Sequence, residues 1–203
     1  MSGKYRQHFP LLHLGLDLLI GRGGVRTVYQ HPDHSDKCIK ILFNANKRRA
    51  VAREETYLRK YWRAHKPFDH LSRFYGHCHT TLGRGGVFQL IKDYNGAISN
   101  PLAAFLPGNI LADKLAPAQI ASLLNHLRDH LLTHCIIVSD PAPGNIVVKY
   151  ATPDHPVLVL IDGIGNPHFI KIADYSAPAA RKIIVKKWRY YVEDNPSLAG
   201  IIP

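Results

Sequence analysis

Asp140, Asn145 and Asp162 are the residues whose type and spacing best suit chemistry. Asp140 and Asn145 stand five apart in Val138-Ser139-Asp140-Pro141-Ala142-Pro143-Gly144-Asn145, and the apolar run Ile146-Val147-Val148 follows. A second apolar run ends at Leu160-Ile161 and delivers Asp162 beside Gly163. A carboxylate can accept the proton of an attacking hydroxyl, and an amide oxygen with a second carboxylate can hold Mg²⁺. The pattern therefore predicts phosphoryl transfer, with Asp140 as base or hydroxyl positioner and Asn145 and Asp162 as metal ligands. Taken singly, each residue is equally an ordinary turn residue.

A phosphate donor also needs backbone amides and a cation. Gly21-Arg22-Gly23-Gly24-Val25-Arg26-Thr27-Val28-Tyr29 supplies a glycine-rich turn. There Gly21, Gly23 and Gly24 would permit close approach of the backbone and positive φ. By itself this is also a plain hairpin. Cys38-Ile39-Lys40-Ile41-Leu42 alternates like a half-buried strand, with Lys40 on the face of Cys38 and Leu42. A lysine on such a face needs a partner. Glu54 or Glu55 on the next helix could provide it. The other reading is a solvated lysine on an edge strand.

These residues need elements to hold them. Residues 1–18 read as a lead-in covering the first sheet. Leu18 to Ile20 and Val25 to Tyr29 read as a hairpin, His31 to Asp36 as a turn, and Lys37 to Leu42 as a strand. Residues 46–64 contain no Gly or Pro and predict a helix ended by Pro67. Phe74 to His79 and Gly86 to Ile91 predict paired strands, with a turn at Tyr94-Asn95-Gly96. Asn100 to Pro107 predicts a short helix. Pro117 then starts a helix carrying Ile120, Leu123, Leu124, Leu127, Leu131 and Leu132 at helical spacing, ending near His134. Two short strands frame the Asp140 and Asp162 segments. Residues 174–191 predict a last helix, and the tail beyond Asn195-Pro196 reads as loose.

The chain has 203 residues, 46% of them apolar, which supports a true core. The apolar stretch Leu11 to Ile20 is broken by His13 and Asp17 and has no cleavage site after it, and no run reaches the ~18 residues of a bilayer span. The expectation is a cytoplasmic protein with its three cysteines, Cys38, Cys78 and Cys135, as free thiols. A formal charge of +11 suits nucleic acid, anionic headgroups or phosphorylated substrates. No nucleic-acid motif accompanies it, so nucleic acid is not expected.

His126, His130 and His134 share one helical face, and His77 and His79 flank Cys78. Structural zinc is one reading, and exposed or core histidines are the favoured one. In Arg181 to Tyr191 a helix sets Ile184, Trp188 and Tyr191 on one face. Lys182, Lys186 and Arg189 then lie elsewhere, which suits core packing or docking on an anionic membrane or glycolipid.

Taken in order, the glycine turn, strand lysine, helix glutamate, Asp140/Asn145 loop and Asp162-Gly163 resemble the kinase-like superfamily. Within it the chain resembles the bacterial YrbL family of the PhoP regulatory network. The residues that carry this are Gly-Arg-Gly-Gly-Val-Arg-Thr-Val-Tyr, His-Pro-Asp, Lys-Cys-Ile-Lys-Ile, Arg-Glu-Glu, Ile-Lys-Asp-Tyr-Asn-Gly and Ile-Asp-Gly-Ile-Gly, over roughly residues 18–192.

The resemblance implies an α+β fold: a compact, two-lobed, truncated protein-kinase-like domain over 1–203. A small antiparallel N-lobe with one helix would occupy about 18–93, and a mainly helical C-lobe about 100–192. It further implies ATP and Mg²⁺ as cofactors, with Gly21, Gly23 and Gly24 on the phosphates and Lys40 orienting them, held by Glu54. Asp140 would be catalytic, and Asn145 and Asp162 would hold metal. Adenine would meet the backbone at Ile91 to Tyr94, with Asp93 near the ribose.

Several positions depart from protein kinases. Val138-Ser139 replace His-Arg, Ala142 replaces a lysine, Arg26 a third glycine and Gly163 a phenylalanine. Only about 40 residues follow Asp162. The expected acceptor is therefore a small-molecule, sugar or glycolipid hydroxyl linked to the envelope or lipopolysaccharide, rather than a protein. The chain could meet the inner membrane peripherally, and Arg26 or Arg22 could supply the charge lost at Ala142. The alternative is a pseudokinase, a nucleotide-binding regulator or scaffold in stress signalling.

Overall fold

Two compact units divide the chain: residues 1–48 with 74–90, and residues 49–73 with 91–203. The computed structural model describes residues 10–166, 176–195 and Leu198. The N-terminal part of the expected lead-in, the expected helix start at 174 and all of the tail beyond Asn195 except Leu198 lie outside the described residues.

The first unit is an antiparallel sheet of five strands: β1 (Leu19–Arg22), β2 (Arg26–Gln30), β3 (Lys37–Leu42), β4 (Phe74–Thr80) and β5 (Gly83–Gln89). Its order is β1-β2-β3-β5-β4, so β3 is the central strand and not an edge. The four middle residues of β3 are all buried, where a half-buried alternation was expected. Both faces are covered. Ile39 and Ile41 pack with Leu14 and Tyr29, while the Lys40 ammonium lies 4.5 Å from the Phe88 ring centroid. The lead-in does join the sheet: Leu12 bridges Thr80, its N–H donates to the His79 carbonyl and Leu14 enters the core. Gly85 is obligatory at its place, because a Cβ there would collide with the Ile39 and Ile41 side chains.

The second unit contains α1 (Arg48–Arg63, which begins one residue before the unit), α2 (Pro117–His134) and α3 (Ala177–Glu193). A three-stranded sheet accompanies them, in the order β6 (Asn100–Pro101), β7 (Ile146–Thr152), β8 (His155–Leu160). The expected helix at 100–107 is instead β6 followed by a single 3-10 turn, Leu102–Phe105. Pairing explains the change: Asn100-Pro101 lie against Val148 and Val147 of β7, and Pro101 is extended there with φ −64° and ψ 146°. In α2 the buried residues are Ile120, Leu124, Leu127 and Leu131, a stripe of i, i+4, i+7 and i+11. In α3, Ile184, Trp188 and Tyr191 are buried with Ala180, as their spacing predicted. Its outer face exposes Arg181, Lys182, Val185, Lys186, Arg189 and Tyr190.

The α2 histidines split. His126 is exposed, whereas the His130 ring lies between the tilted rings of His70 and His134, with centroids 4.6 and 4.5 Å away. His70 is fixed through Nδ1, 2.7 Å from the Leu158 carbonyl. Among the described residues no group of three or more His, Cys, Asp or Glu is placed to hold a metal ion. Burial, then the His70 and His134 rings, lowers the His130 pKa from 6.5 to about 4, and Asp69 opposes weakly. The folded state therefore holds His130 neutral while the unfolded chain protonates it. The stability this gives is present above pH 6.5 and is lost as pH falls towards 4. The melting temperature of the wild type should fall more steeply over this window than that of His130→Phe, which keeps a ring but cannot titrate. Parallel profiles would remove His130 from the account.

Candidate functional site

The first unit contains the glycine turn and Lys40. The turn from β1 to β2 closes through the Gly23 N–H, 3.0 Å from the Arg26 carbonyl. Gly21, Gly23 and Gly24 do not adopt positive φ, contrary to one reason for expecting glycine there. A Cβ at Gly21 or Gly24 would meet no protein atom within 4 Å, and at Gly23 only the Arg26 carbonyl oxygen at 3.7 Å. What these residues offer is bare backbone at an open turn. Lys40 stands opposite Val28 on β2 and Gly86 on β5 and is 6% exposed. Cys38 is on the same face. Burial pushes its thiol pKa up, and the nearby Lys40 and Arg26 charges pull against that.

The second unit brings Asp140, Asn145 and Asp162 together. Asn145 Nδ2 donates to the Asp140 carbonyl and to Asp140 Oδ2, both at 3.0 Å. The segment is braced from both sides, by the Asn145 N–H to the Ala142 carbonyl at 2.8 Å and by the Ile161 N–H to the Asn145 carbonyl at 2.9 Å. With the Asn145 NH₂ committed to Asp140, the amide oxygen is the atom left for a cation. Asp162 is held beside them by the next two residues. The Gly163 carbonyl accepts from Ser139 N at 2.7 Å, Ser139 Oγ at 2.9 Å and Asp140 N at 3.3 Å. Val138 and Ile164 form a bridge just beyond, and Asp162 Oδ1 accepts from Gly163 N at 2.7 Å.

Gly163 is the reason this closure is possible. Its φ is +73°, and a Cβ there would strike the Asp140 carbonyl oxygen. The glycine that departs from the protein-kinase phenylalanine is thus demanded by the backbone.

Helix α1 braces the same loops through residues three apart. Glu54 is 6% exposed and its Oε1 accepts from Ile164 N at 3.3 Å, while Glu55 is only half-buried. Of the two candidates, Glu54 is therefore the one turned inward. The Tyr57 hydroxyl accepts from Ile137 N at 3.1 Å and donates to the Cys135 carbonyl at 3.4 Å. Cys135 closes α2 in the left-handed region at φ 54°, an unusual place for a side-chain-bearing residue, and the Tyr57 contact helps to hold it. At Gly165, with φ +119°, an added Cβ would sit 3.3 Å from Tyr57 Cβ, so glycine suits the place. From α3, Lys187 Nζ donates to the Ser139 carbonyl at 3.2 Å.

Asp93 has hydrogen-bond partners of its own. Its Oδ1 accepts from Ser99 Oγ at 2.6 Å and from Tyr150 N at 3.0 Å, which ties the 93–99 turn to β7. The carboxylate contributes to raising the Tyr150 pKa, after burial.

Sequence reasoning missed Tyr57, Ser139, Gly165 and Lys187. Tyr57 was findable, because it follows Glu54 by one helical turn. Lys187 had no signal, being one of several cations on its helix.

Gly163→Ala should lower the melting temperature by the equivalent of about 1–3 kcal/mol. Calorimetry on the two proteins checks it. An unchanged melting point would mean the Ser139–Gly163 closure relaxes without cost.

The family described as PhoP regulatory network protein YrbL matches residues 12–195, and the chain belongs to that family. The YrbL proteins of Escherichia coli (strain K12) and of Shigella flexneri are each 26% identical over 182 residues, covering 89% of this chain and 85% of theirs. Among solved structures, Rad53 (residues 1–466, in complex with AMP-PNP) is similar with a TM-score of 0.53 and 18% identity. That likeness covers 83% of this chain, which spans 44% of the Rad53 chain, and at this identity it speaks to the fold alone. The fold is α+β and kinase-like: an N-terminal antiparallel sheet and a helix, then a mainly helical part.

Proposed function

We propose that this chain, a YrbL-family protein with a kinase-like fold, is an ATP- and Mg²⁺-dependent phosphotransferase acting on a small-molecule, sugar or glycolipid hydroxyl. The observation that carries the reading is the bonded pair of Asp140 and Asn145, closed onto the Asp162 segment through Gly163. The donor set, one amide oxygen and a carboxylate, is of the hard-oxygen kind that suits Mg²⁺, an ion commonly held by one or two carboxylates plus substrate phosphates. Bound there, Mg²⁺ would neutralise charge developing on the transferred phosphoryl group.

The chain's own residues do the rest. Gly21, Gly23 and Gly24 offer backbone to the donor phosphates, and Lys40 offers a fixed cation. Asp140 Oδ2, oriented by Asn145, accepts the acceptor hydroxyl's proton. Glu54 acts in two ways in this reading: it holds the Ile164 N–H and it sets Lys40. The 91–94 backbone receives adenine and Asp93 lies by the ribose. The AMP-PNP bound to Rad53 supports a nucleotide as donor.

Thermal shift with ATP and Mg²⁺ should stabilise the wild type but not Asp162→Ala. Wild type unmoved by nucleotide would remove this reading. Asp140→Ala should keep nucleotide binding and lose turnover by about 10²–10⁴-fold. Binding without turnover in the wild type would instead make the chain a nucleotide-responsive regulator.

Peripheral membrane contact is a further part of the proposal, and the outer face of α3 supports it. Val185 is 57% and Tyr190 40% exposed amid Arg181, Lys182, Lys186 and Arg189. Cosedimentation with phosphatidylglycerol vesicles should fall with salt and with Lys182→Glu/Lys186→Glu. Equal sedimentation of the variant would leave this face merely solvated.

A further inference from the structure

Lys187 lies on the flank of α3, between its buried and its exposed faces. It is half-buried, while Lys182 and Lys186 on the same helix are exposed. Its Nζ donates to the Ser139 carbonyl at 3.2 Å, so a full positive charge sits on the peptide unit that leads into Asp140. Both ends of this contact are fixed. Helix α3 is held by the buried Ala180, Ile184, Trp188 and Tyr191, and by Arg181 Nε, which donates to the Leu132 carbonyl of α2 at 3.3 Å. Ser139 is held through its N–H and Oγ, which donate to the Gly163 carbonyl at 2.7 and 2.9 Å.

A carbonyl satisfies one N–H of an ammonium and none of its charge. Lys187 is bonded to the main chain before Asp140 rather than to the carboxylate, whose Oδ2 accepts from Asn145 at 3.0 Å. The cation therefore stands beside the candidate base without tying it up. Covalent geometry keeps the ammonium within about 10 Å of that carboxylate, a span that one phosphoryl group with hydrogen bonds on either side can fill. Arg181 and the buried stripe already anchor α3, so the docking of the helix does not depend on a second cation.

We infer that Lys187 is a catalytic residue of the phosphoryl transfer proposed above, its ammonium binding the oxygens of the phosphoryl group as it passes to the acceptor. The inference rests on that reading and adds a residue to it. In the step, the bond from the γ-phosphorus to the bridging oxygen of ADP breaks, and a bond from phosphorus to the acceptor oxygen forms. The bonding pair leaves with ADP, and the acceptor's proton goes to Asp140 Oδ2. Lys187 gives up no proton. It stabilises the negative charge spread over the equatorial oxygens.

Two readouts on the full chain test it. One is phosphate release from Mg·ATP with water as acceptor. The other is thermal shift with Mg·ADP, with and without aluminium fluoride, which mimics the phosphoryl group in flight. Aluminium fluoride should add to the shift that Mg·ADP gives the wild type. Lys187→Gln keeps a donor for the Ser139 carbonyl and loses the charge. It should abolish the added shift, leave the Mg·ADP shift unchanged and lower phosphate release by about 10²–10³-fold, the range for removing one group that stabilises transition-state charge. Lys187→Arg keeps the charge and should lose less of both. Lys114→Gln, exposed elsewhere in the same unit, should match the wild type. Lys187→Gln equal to the wild type in both readouts overturns the role of Lys187 and leaves the nucleotide reading standing. A wild type that binds Mg·ADP with no added shift and no phosphate release also overturns it, and makes the chain a nucleotide-responsive regulator. A wild type unmoved by nucleotide removes the phosphotransferase reading and the inference with it. Should Lys187→Gln fail to fold by circular dichroism, Lys187→Met decides by the same criterion, and an added shift equal to that of the wild type sinks the inference.

Discussion

One carbonyl oxygen, that of Gly163, organises the polar residues of the second unit. It accepts from both the amide and the hydroxyl of Ser139 and from the amide of Asp140, and so binds the chain after α2 to the chain after β8. Such a shared acceptor works only if the two backbones come into contact. That is possible because residue 163 has no Cβ and can take a left-handed φ. Once that closure is made, Asn145 has Asp140 within reach, and Asp162 is one residue from the junction.

Helix α1 turns this local closure into a supported one. Its residues at 54, 57, 58 and 61 face inward at helical spacing: Glu54 takes the Ile164 amide, Tyr57 takes the Ile137 amide, and Leu58 and Tyr61 are buried. Polar and apolar work thus share one stripe of one helix. A buried amide left without such a partner costs about 1–3 kcal/mol, so Glu54 and Tyr57 matter to the loops whatever else they touch.

Most strands and helices were legible because each depended on a local signal. Strand-type runs beside glycine and turn signals gave β2 and β3, the absence of Gly and Pro gave α1, and the leucine stripe after Pro117 gave α2. The misreading at 100–107 has a physical source: Asn100-Pro101 is extended because it pairs with β7, a partner about 47 residues away that no local window contains. Lys40 was picked out by its type, yet its central strand could not be seen, since sheet order is set by which strands find each other. At the site, Asp140, Asn145 and Asp162 stood out by spacing. The donors that fix them, the Tyr57 hydroxyl and the Ser139 hydroxyl among them, are common residues whose role comes only from where the backbone folds back.

The sheet order has a kinetic side. The hairpins β1–β2 and β4–β5 close across a few residues, but β3 must pair with β5 across the whole segment from Leu42 to Gly83, some 40 residues, part of which belongs to the other unit. Loop closure of that length costs about 3 kcal/mol in chain entropy before any contact repays it. The strand bearing Lys40 therefore gains its second neighbour late, and only after residues up to 89 have been synthesised. Until then its buried lysine has one finished wall, and the growing chain carries an open edge at the strand that the native fold most completely encloses.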